Sequence, residues 1–379
     1  MPIWERLLSQ MQTYNLELLN QDILKGIYQE LVDPKDRHDL GEYYTPDWLC
    51  EKIVTELLPN EDFVSVIDPA CGSGSFIRAA ISHMLSVNRA CDEESKLRGI
   101  LNNVVGIDIN PLAVIISKAT YLIALGSLVK AAKRPIHVPV YLADSLFLPT
   151  EVKQIALGKT YSYEIRFADK KVHIPEKLIS RPEAFDQAIS ACSRIAIDHA
   201  ESEREDESSL RAYLEKSTPV IKEIEDFEST LLGLWDYTKS LAELIRERKD
   251  SIWSFIIRNG YRPMMLRQRF DFILGNPPWL SYRYISDPEY QSEIKNRAVY
   301  EYRIAPISKK LFTQMELATL FLVHSIETFG KEEAKLAFVM PRSILTADQH
   351  DTLRKRTYNA KLIIESYWDL QDVRPLFSV

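Results

Sequence analysis

The fold of this chain is decided by one stretch of its sequence, Val64-Ser65-Val66-Ile67-Asp68-Pro69-Ala70-Cys71-Gly72-Ser73-Gly74-Ser75-Phe76. Its first part, Val64–Asp68, is apolar and predicts a strand, and the apolar spacing of Phe76–Val87 predicts a helix. Gly72 and Gly74 lie in the turn between them, where a missing side chain lets a ligand approach the backbone. The turn has neither the GxGxxG dinucleotide pattern nor the lysine of a phosphate-binding loop. It therefore predicts a cradle for an uncharged adenosyl or amino-acid group, with a plain tight turn as the alternative.

Strands and helices alternate on both sides of a long interruption. Val104–Asp108 and Val138–Ala143 are predicted strands, with a predicted helix, Pro111–Ala124, between them. After residue 264 the predicted elements are the strand Phe270–Leu274, the helix Leu317–Phe329, the strand Lys335–Met340, the helix Ile344–Tyr358 and the strand Leu362–Trp368. This alternation predicts an α/β fold with a doubly wound, Rossmann-like sheet.

The interruption, residues 151–264, is predicted to be a mainly helical, acidic insertion. Tyr161–Ile174 alternates enough to predict a hairpin, and residues 182–257 have helical spacing with few turn residues. An apolar stripe there predicts helices that pack against another part of the structure. The stripe consists of Leu231, Leu234, Leu241 and Leu244.

The N-terminal part is also predicted to be helical. Residues 1–40 read as a helical segment, with helices over Ile3–Leu18 and Ile23–Leu31. A further helix is expected to begin with Thr45 as its N-cap and Pro46 at its first position. The α/β domain is then split between residues 41–150 and residues 265–379.

The net charge of the chain is concentrated in the insertion. The 379 residues carry −7, and Arg181–Asp250, with 17 acidic and 10 basic residues, accounts for all of it. The net charge of −7 argues against nucleic-acid binding by global charge, and the near-neutral remainder leaves room for a basic groove. The four cysteines lack the spacing of zinc ligands, so no metal is expected. No secretory signal or uninterrupted membrane-length apolar run is evident, so a cytoplasmic location without a membrane is expected.

Acidic residues follow the second and third predicted strands. Asp108 is placed to accept hydrogen bonds from both hydroxyls of a ribose, by the geometry that dinucleotide enzymes use. Asp144 is placed to accept one from an adenine amino group. The alternatives are a helix N-cap for Asp108 and a cap or turn residue for Asp144.

The run Asn276-Pro277-Pro278-Trp279, directly after a predicted strand, is the candidate for catalysis. An exocyclic amine is a weak nucleophile because its lone pair is delocalised into the ring. The side-chain oxygen of Asn276 and the carbonyl of Pro277 could hold its two hydrogens, in a turn that the prolines stiffen. Trp279 offers a stacking face for an extruded purine. The alternative is an ordinary Pro-Pro turn.

Basic and tyrosine residues are interleaved after this turn. Phosphate contacts and base stacking use these residue types, so the segment is a candidate DNA-binding surface; the alternative is a solvated loop. The candidates are Arg283, Lys295, Arg297, Arg303, Lys309 and Lys310.

The two turns together resemble those of the amino-directed adenine DNA methyltransferases of restriction-modification and phage-defence systems, of the type IIG, BREX or DISARM kind. The resemblance implies S-adenosylmethionine (SAM) as cofactor and residues 41–150 and 265–379 as the methyltransferase catalytic domain. It implies catalysis by Asn276, Pro277, Pro278 and Trp279. It implies cofactor contacts from Tyr43, Tyr44, Thr45, Pro46, Asp68, Pro69, Ala70, Gly72, Gly74, Phe76, Asp108, Ile109, Asp144, Ser145 and Asn276.

The resemblance further implies transfer of a methyl group to the N6 amine of adenine, flipped out of double-stranded DNA. Three departures qualify it. Trp279 replaces the more usual Tyr or Phe but can still stack. The insertion lies where one subgroup keeps its target-recognition domain, yet its acidity opposes DNA reading. Similar proteins continue past residue 379, so a C-terminal recognition domain or a partner subunit is expected to complete the chain. The alternatives are a glutamine or RNA N-methyltransferase and an idle SAM-binding scaffold.

Overall fold

The computed structural model describes residues 45–60, 63–88, 91–133, 136–148, 151–155, 159–167, 170–179, 182–202, 206–217, 227–247, 266–306 and 308–373. The helices predicted within residues 1–40 lie outside these ranges, as do Tyr43 and Tyr44. The chain divides into two compact units, Met1–Val140 with Phe270–Val379, and Tyr141–Arg269.

The helices and strands of the described residues are numbered in chain order. The helices are α1 Asp47–Leu57, α2 Ser75–Val87, α3 Glu93–Asn103, α4 Pro111–Leu125, α5 Glu176–Ile179, α6 Pro182–Ser202, α7 Glu207–Ser217, α8 Phe227–Arg246, α9 Pro288–Asn296, α10 Lys309–Phe312, α11 Leu317–Phe329, α12 Ser343–Thr346 and α13 Asp351–Arg354. The strands are β1 Val66–Asp68, β2 Val104–Asp108, β3 Val140–Leu142, β4 Glu151–Ile155, β5 Lys159–Phe167, β6 Lys170–Pro175, β7 Phe270–Gly275 and β8 Gly330–Phe338. Short 3-10 turns cover Gly126–Ala131, Tyr282–Tyr284 and Asp348–His350, and Arg297–Glu301 is a π-helical turn.

A five-stranded sheet in the order β3-β2-β1-β7-β8 organises the first unit. β1 pairs in parallel with β2 on one side and with β7 on the other, so that Val66 lies opposite both Val104 and Phe272. β7 pairs in parallel with β8. The chain thus winds outward from β1 in both directions, which confirms the doubly wound α/β fold. Ligands of such sheets bind beyond the carboxyl ends of the strands where the order reverses, here β1 and β7.

The core of this sheet is apolar, as the sequence pattern predicts. Ile67, Ile107 and Ile273 are fully buried on its three central strands. By length and composition alone, the helical stretch Pro111–Ala131 could cross a membrane, with a mean hydropathy of 1.9 over its most apolar 18 residues. Of that window, 44% is buried inside the protein, and the Tyr121 hydroxyl of this helix donates to the carbonyls of Ile100 and Val104. A core helix of a sheet meets the same two criteria.

The second unit combines a small antiparallel sheet with helices. Its sheet has the order β4-β5-β6, so the predicted hairpin is confirmed, and β4 is an additional strand. The apolar stripe on α8 is buried, which confirms that it packs in a core with residues of α6 such as Phe185 and Ile189. Gly233 on this helix lies so close to the carbonyl oxygen of His173 that a Cβ would stand 2.3 Å from it.

The last part of the chain corrects three predictions. Ile344–Tyr358 is not one helix but α12, a 3-10 turn and α13. The helix is interrupted because Ala347 is extended (ψ 144°) and the Arg354 guanidinium donates hydrogen bonds to the carbonyls of Ile344 and Ala347. Leu362–Trp368 forms no strand, because a strand needs a paired neighbour and side chains contact its carbonyls instead. Tyr358 donates to the carbonyl of Leu362. β8 also lies earlier than predicted, and α3 was not predicted.

Candidate active site

The glycine turn lies between the end of β1 and the start of α2. Gly72 and Gly74 have φ values of 51° and 88°, a region that glycine adopts without steric cost. A Cβ on Gly74 would stand 2.8 Å from the Ser117 hydroxyl of α4, so glycine permits this close packing. A Cβ on Gly72 would meet nothing within 4 Å. The turn therefore packs on one side and leaves space beside Gly72.

Asp68 closes β1 and is almost fully buried, with 3% of its surface exposed. Its Oδ1 accepts a hydrogen bond from the Ala70 amide at 3.1 Å. Burial raises the pKa of this carboxyl well above its usual range; the Ala70 amide opposes the rise, and the charge of Asp108 adds to it. A cationic ligand group beside Asp68 would favour its ionised form.

Asp108 ties the glycine turn to the next strand. Its Oδ2 accepts from the Gly72 amide and its Oδ1 from the Asn110 amide, both at 2.8 Å. The N-cap of α4 is Asn110, whose side chain accepts from the Leu112 amide, so the N-cap alternative for Asp108 is wrong. Ile109, beside Asp108, is 64% exposed, as an apolar contact for a ligand would require. The ribose contact remains a prediction.

Asp144 and Ser145 follow β3 and belong to the second unit. The Oδ1 of Asp144 accepts from the Leu146 amide at 2.9 Å, which is the turn role given above as the alternative. Ser145 is buried, with 3% exposed. Their contact with an adenine ring remains a prediction.

Helix α1 begins one residue later than predicted. Pro46, not Thr45, is the N-cap, because the Pro46 carbonyl accepts the amides of Leu49 and Cys50 and the helix starts at Asp47. Thr45 is buried, with 5% exposed. Contacts of Thr45 and Pro46 with a cofactor remain predictions.

The strand pairing brings the second turn beside the first. Gly275 ends β7, and a Cβ on it would stand 2.7 Å from Oδ1 of Asp68. Asn276 follows immediately, and its Oδ1 is buried. Two runs far apart in the sequence thus meet where the strand order reverses. Phe76 packs in the core behind the glycine turn, with 3% exposed.

Trp279 is held at its edge rather than at its face. Its indole Nε1 donates to the carbonyl of Val339 at 3.3 Å, and the Val339 amide donates to the carbonyl of Gly275 at 2.9 Å. The side chain is half-buried, and Pro277 is buried. Val339 gave no signal in the sequence, because it contributes only backbone atoms.

A polar network absent from the sequence predictions centres on Glu316, which pairs with Ser281 in the chain that follows this turn. Glu316, before α11, accepts hydrogen bonds from Ser343 at 2.7 Å and from His350 Nε2 at 2.6 Å. The second ring nitrogen of His350 contacts the Thr319 hydroxyl at 3.1 Å. These residues are up to 34 positions apart, so no local pattern could have indicated the network.

The six candidate DNA-binding residues do not behave alike. Arg283 lies over the ring of Tyr284, with Cζ 4.7 Å from the centroid, and Tyr284 is 61% exposed. Arg297 is engaged internally, with Glu301 at 3.3 Å and His324 Nδ1 at 3.3 Å. The exposed members are Arg283, Lys295, Arg303 and Lys310. The side chain of Lys309 lies outside the described part. DNA contact by any of the six remains a prediction.

The acceptor groups beside the glycine turn suit a cationic, hydroxyl-rich ligand. Two carboxylates, Asp68 and Asp108, border the glycine turn, and no lysine or arginine lies within residues 68–76. Across the described ranges, no cluster of three or more His, Cys, Asp or Glu residues could hold a metal ion.

A family model described as Eco57I restriction-modification methylase matches residues 102–374. The chain belongs to this family. A model described as N-6 DNA methylase also matches, over residues 19–124. This Eco57I-family chain is 23% identical to a putative type II restriction enzyme and methyltransferase of Methanocaldococcus jannaschii, over 90% of the chain and 35% of that protein. It is 29% identical to the adenine-specific methyltransferase PglX of Streptomyces coelicolor, over 32% of the chain and 11% of that protein.

The Eco57I-family chain thus spans about a third of the length of the M. jannaschii protein and less of PglX. Among solved structures it is similar to the type ISP restriction-modification enzyme LlaBIII bound to DNA, with a TM-score of 0.45 and 12% identity over 88% of this chain and 17% of that one. It is also similar to a DrdV–DNA complex, with a TM-score of 0.43 and 15% identity over 88% of this chain and 24% of that one.

Proposed function

We propose that this chain is the catalytic core of a SAM-dependent methyltransferase that acts on the N6 amine of adenine in DNA. The observation that carries the proposal is the meeting of the glycine turn after β1 with the Asn276 turn after β7. Membership of the Eco57I family, the N-6 DNA methylase match and the name of PglX support it.

The residues around the glycine turn fit SAM. When bound, SAM supplies a methyl group activated by a sulfonium charge. Asp68 would face the cationic amino-acid end of SAM, and Asp108 would accept hydrogen bonds from the ribose hydroxyls. Each carboxylate oxygen can accept more than one hydrogen bond, so the bonds from backbone amides leave room for these contacts. The space beside Gly72 admits a ligand close to the backbone. Thr45, Pro46 and the residues before them would complete the binding site.

The Asn276 turn orients the acceptor amine. The Asn276 side-chain oxygen and the Pro277 carbonyl accept its two hydrogens, which directs the nitrogen lone pair toward the methyl donor. Trp279, fixed at its indole edge by Val339, stacks on the flipped base. Asn276 and Pro277 would hold the amine beside the methyl carbon that SAM supplies, and the amine nitrogen would replace the sulfur on that carbon and release one proton to solvent.

The substrate is proposed to be double-stranded DNA with a flipped-out adenine. The exposed basic residues after the turn would contact phosphates, and a C-terminal recognition domain or partner subunit would supply sequence selectivity. We propose a cytoplasmic enzyme with a catalytic domain over residues 41–150 and 265–379, a helical insertion over 151–264 and an N-terminal segment over 1–40.

The test is a methylation assay with isotope-labelled SAM on duplex DNA, RNA and protein, followed by identification of the labelled product. We expect N6-methyladenine in DNA. Asn276→Ala should abolish it while SAM affinity stays nearly unchanged, because the acceptor acts on the amine during transfer. Asn296→Ala, at an exposed helix end, is the matched control and should keep activity. Label on glutamine or RNA, or SAM binding without transfer to any substrate, would overturn the proposal.

A further inference from the structure

The segment that follows Trp279 is attached to the start of α11 by its backbone. The Leu317 amide donates to the carbonyl of Leu280, and the Tyr282 amide donates to that of Met315, both at 2.9 Å. Between these bonds, Ser281 and Glu316 form an isolated antiparallel bridge. The conformation of the chain directly after Trp279 therefore depends on where residues 315–317 lie.

The side chain of Glu316 reaches a second segment that also contacts Trp279. It accepts from Ser343 and from His350, which follow β8, and the Val339 carbonyl that holds the Trp279 indole lies just before them. Trp279 is thus fixed between two segments, and Glu316 joins these segments to each other.

This junction is buried and charged. The His350 side chain is fully buried and that of Glu316 is 13% exposed. Burial alone would raise the pKa of Glu316, but the hydrogen bonds from His350 and Ser343 outweigh burial and lower it, so the group is a carboxylate at neutral pH. A carboxylate only accepts hydrogen bonds, so His350 Nε2 carries the hydrogen between them, and Nδ1 of the same ring contacts the Thr319 hydroxyl at 3.1 Å. Loss of either partner leaves a buried polar group unsatisfied.

We propose that Glu316 and His350 are positioning residues, which hold the chain on both sides of Trp279 so that Trp279 and the Asn276 turn keep the geometry needed for the acceptor base. The inference rests on the proposed function for the identity of that base. The pair touches neither substrate nor cofactor and acts through the backbone of residues 280–282 and 339–343. It therefore affects the binding and reaction of the base, and it leaves SAM binding alone.

The test compares His350→Phe, His350→Gln and Glu316→Gln with the wild-type chain. Asp351→Asn is the matched control, because Asp351 is adjacent but pairs on the surface with Lys355. We expect His350→Phe and Glu316→Gln to lower the single-turnover methylation rate by about 10- to 100-fold, the scale for small misplacements of reacting groups. His350→Gln keeps a donor and should recover part of the loss. SAM affinity by calorimetry should stay within about twofold in every variant, because binding of the cofactor uses other residues.

Hydrogen exchange gives a readout that does not depend on the substrate. Peptides covering residues 280–284 and 315–319 should exchange faster in His350→Phe, whereas peptides of β1 and α2 should not. Faster exchange in a protein that methylates no adenine would refute the proposed function and leave the positioning role intact. Unchanged exchange and rate in His350→Phe would overturn the positioning role. So would a parallel loss of SAM affinity and rate in every variant, because the pair would then only stabilise the fold.

Discussion

Single residues at the two turns carry more than one contact, and Asp108 is the clearest case. Its two oxygens already accept backbone amides from Gly72 and Asn110, so it shapes the turn before any ligand binds. The apolar pattern of the sequence correctly predicted that Asp108 ends a strand, because the strand stops where the apolar residues stop. It could not show these bonds, which depend on how β1 and β2 pair.

Asp108→Ala should weaken SAM binding by about 1–3 kcal/mol, the cost of leaving buried polar partners unsatisfied. Calorimetric titration with SAM measures the change. Asp92→Ala is the control, because Asp92 also accepts a backbone amide, from Ser95, but caps the exposed start of α3. Equal SAM affinity in wild type and Asp108→Ala would exclude the ribose role.

Trp279 combines a stacking face with a hydrogen bond at its edge. Trp279→Ala should lose about 1–3 kcal/mol of base stacking, and Trp279→Phe should keep most of the stacking while losing the bond to Val339. Fluorescence of 2-aminopurine at the target position reports extrusion of the base. An equal signal in wild type and Trp279→Ala would make Trp279 a packing residue only.

At the scale of elements, the sequence predicted the helices and strands that bury a regular apolar face. The predicted bounds Val104–Asp108 and Leu317–Phe329 are those of β2 and α11, because nearly all of their apolar residues are buried. Elements that depend on distant partners were mispredicted. Ile344–Tyr358 is interrupted where His350 turns toward Glu316, and α3 has only two buried residues, Leu97 and Ile100, to indicate it.

A polar contact at the amino-terminal ends of the strands, opposite the two turns, joins β7 to β8 and to the residue before β1. Asp271 of β7 accepts from the amide and hydroxyl of Ser65, just before β1, and from Lys331 of β8 at 2.8 Å. Burial raises the pKa of Asp271, but the bonds from Lys331 and Ser65 outweigh it, so the net shift is downward. Because the pKa is lower in the folded than in the unfolded chain, the carboxylate stabilises the fold at neutral pH and loses this effect as pH falls.

Asp271→Asn should therefore lower the free energy of unfolding near pH 7 by about 0.5–1 kcal/mol, the range for a partly exposed pair. The difference from wild type should shrink as the pH falls below about 4, where aspartates become protonated. Urea unfolding at several pH values measures both. Asp236→Asn loses only an exposed ion pair with Lys239, so its free energy of unfolding should differ less from that of wild type. A difference that persists unchanged at pH 3 would contradict the carboxylate's role.

At the scale of the whole molecule, charge limits what the chain can do alone. Its net charge is −7, and residues 141–269, which contain the acidic stretch, form their own compact unit. The sequence predicted this acidic insertion from composition. It could not predict where the candidate basic residues lie, and the structure shows Arg297 paired with Glu301 rather than free for phosphate.

We expect the isolated chain to bind DNA weakly and with little sequence preference, with affinity falling steeply as salt rises, because phosphate contacts would dominate. Fluorescence anisotropy with specific and random duplexes over a salt series measures this. Under the proposed function, addition of a recognition domain or partner subunit should confer selectivity. Nanomolar, sequence-selective binding by residues 1–379 alone at physiological salt would contradict the expectation and favour the insertion as the reader of sequence.

The pairing of β1 with β7 also determines when, during synthesis, the site can exist. Ser65 and Asp271 are 206 positions apart, so the glycine turn leaves the ribosome long before the Asn276 turn that it will adjoin. Contacts of such separation form late, because loop closure must precede them. If the compact unit over residues 141–269 folds first, less of the loop between the two turns stays unfolded, and β7 finds β1 faster. Under the proposed function, a nascent chain arrested before β7 has no Asn276 turn, so it lacks the residues that orient the acceptor amine.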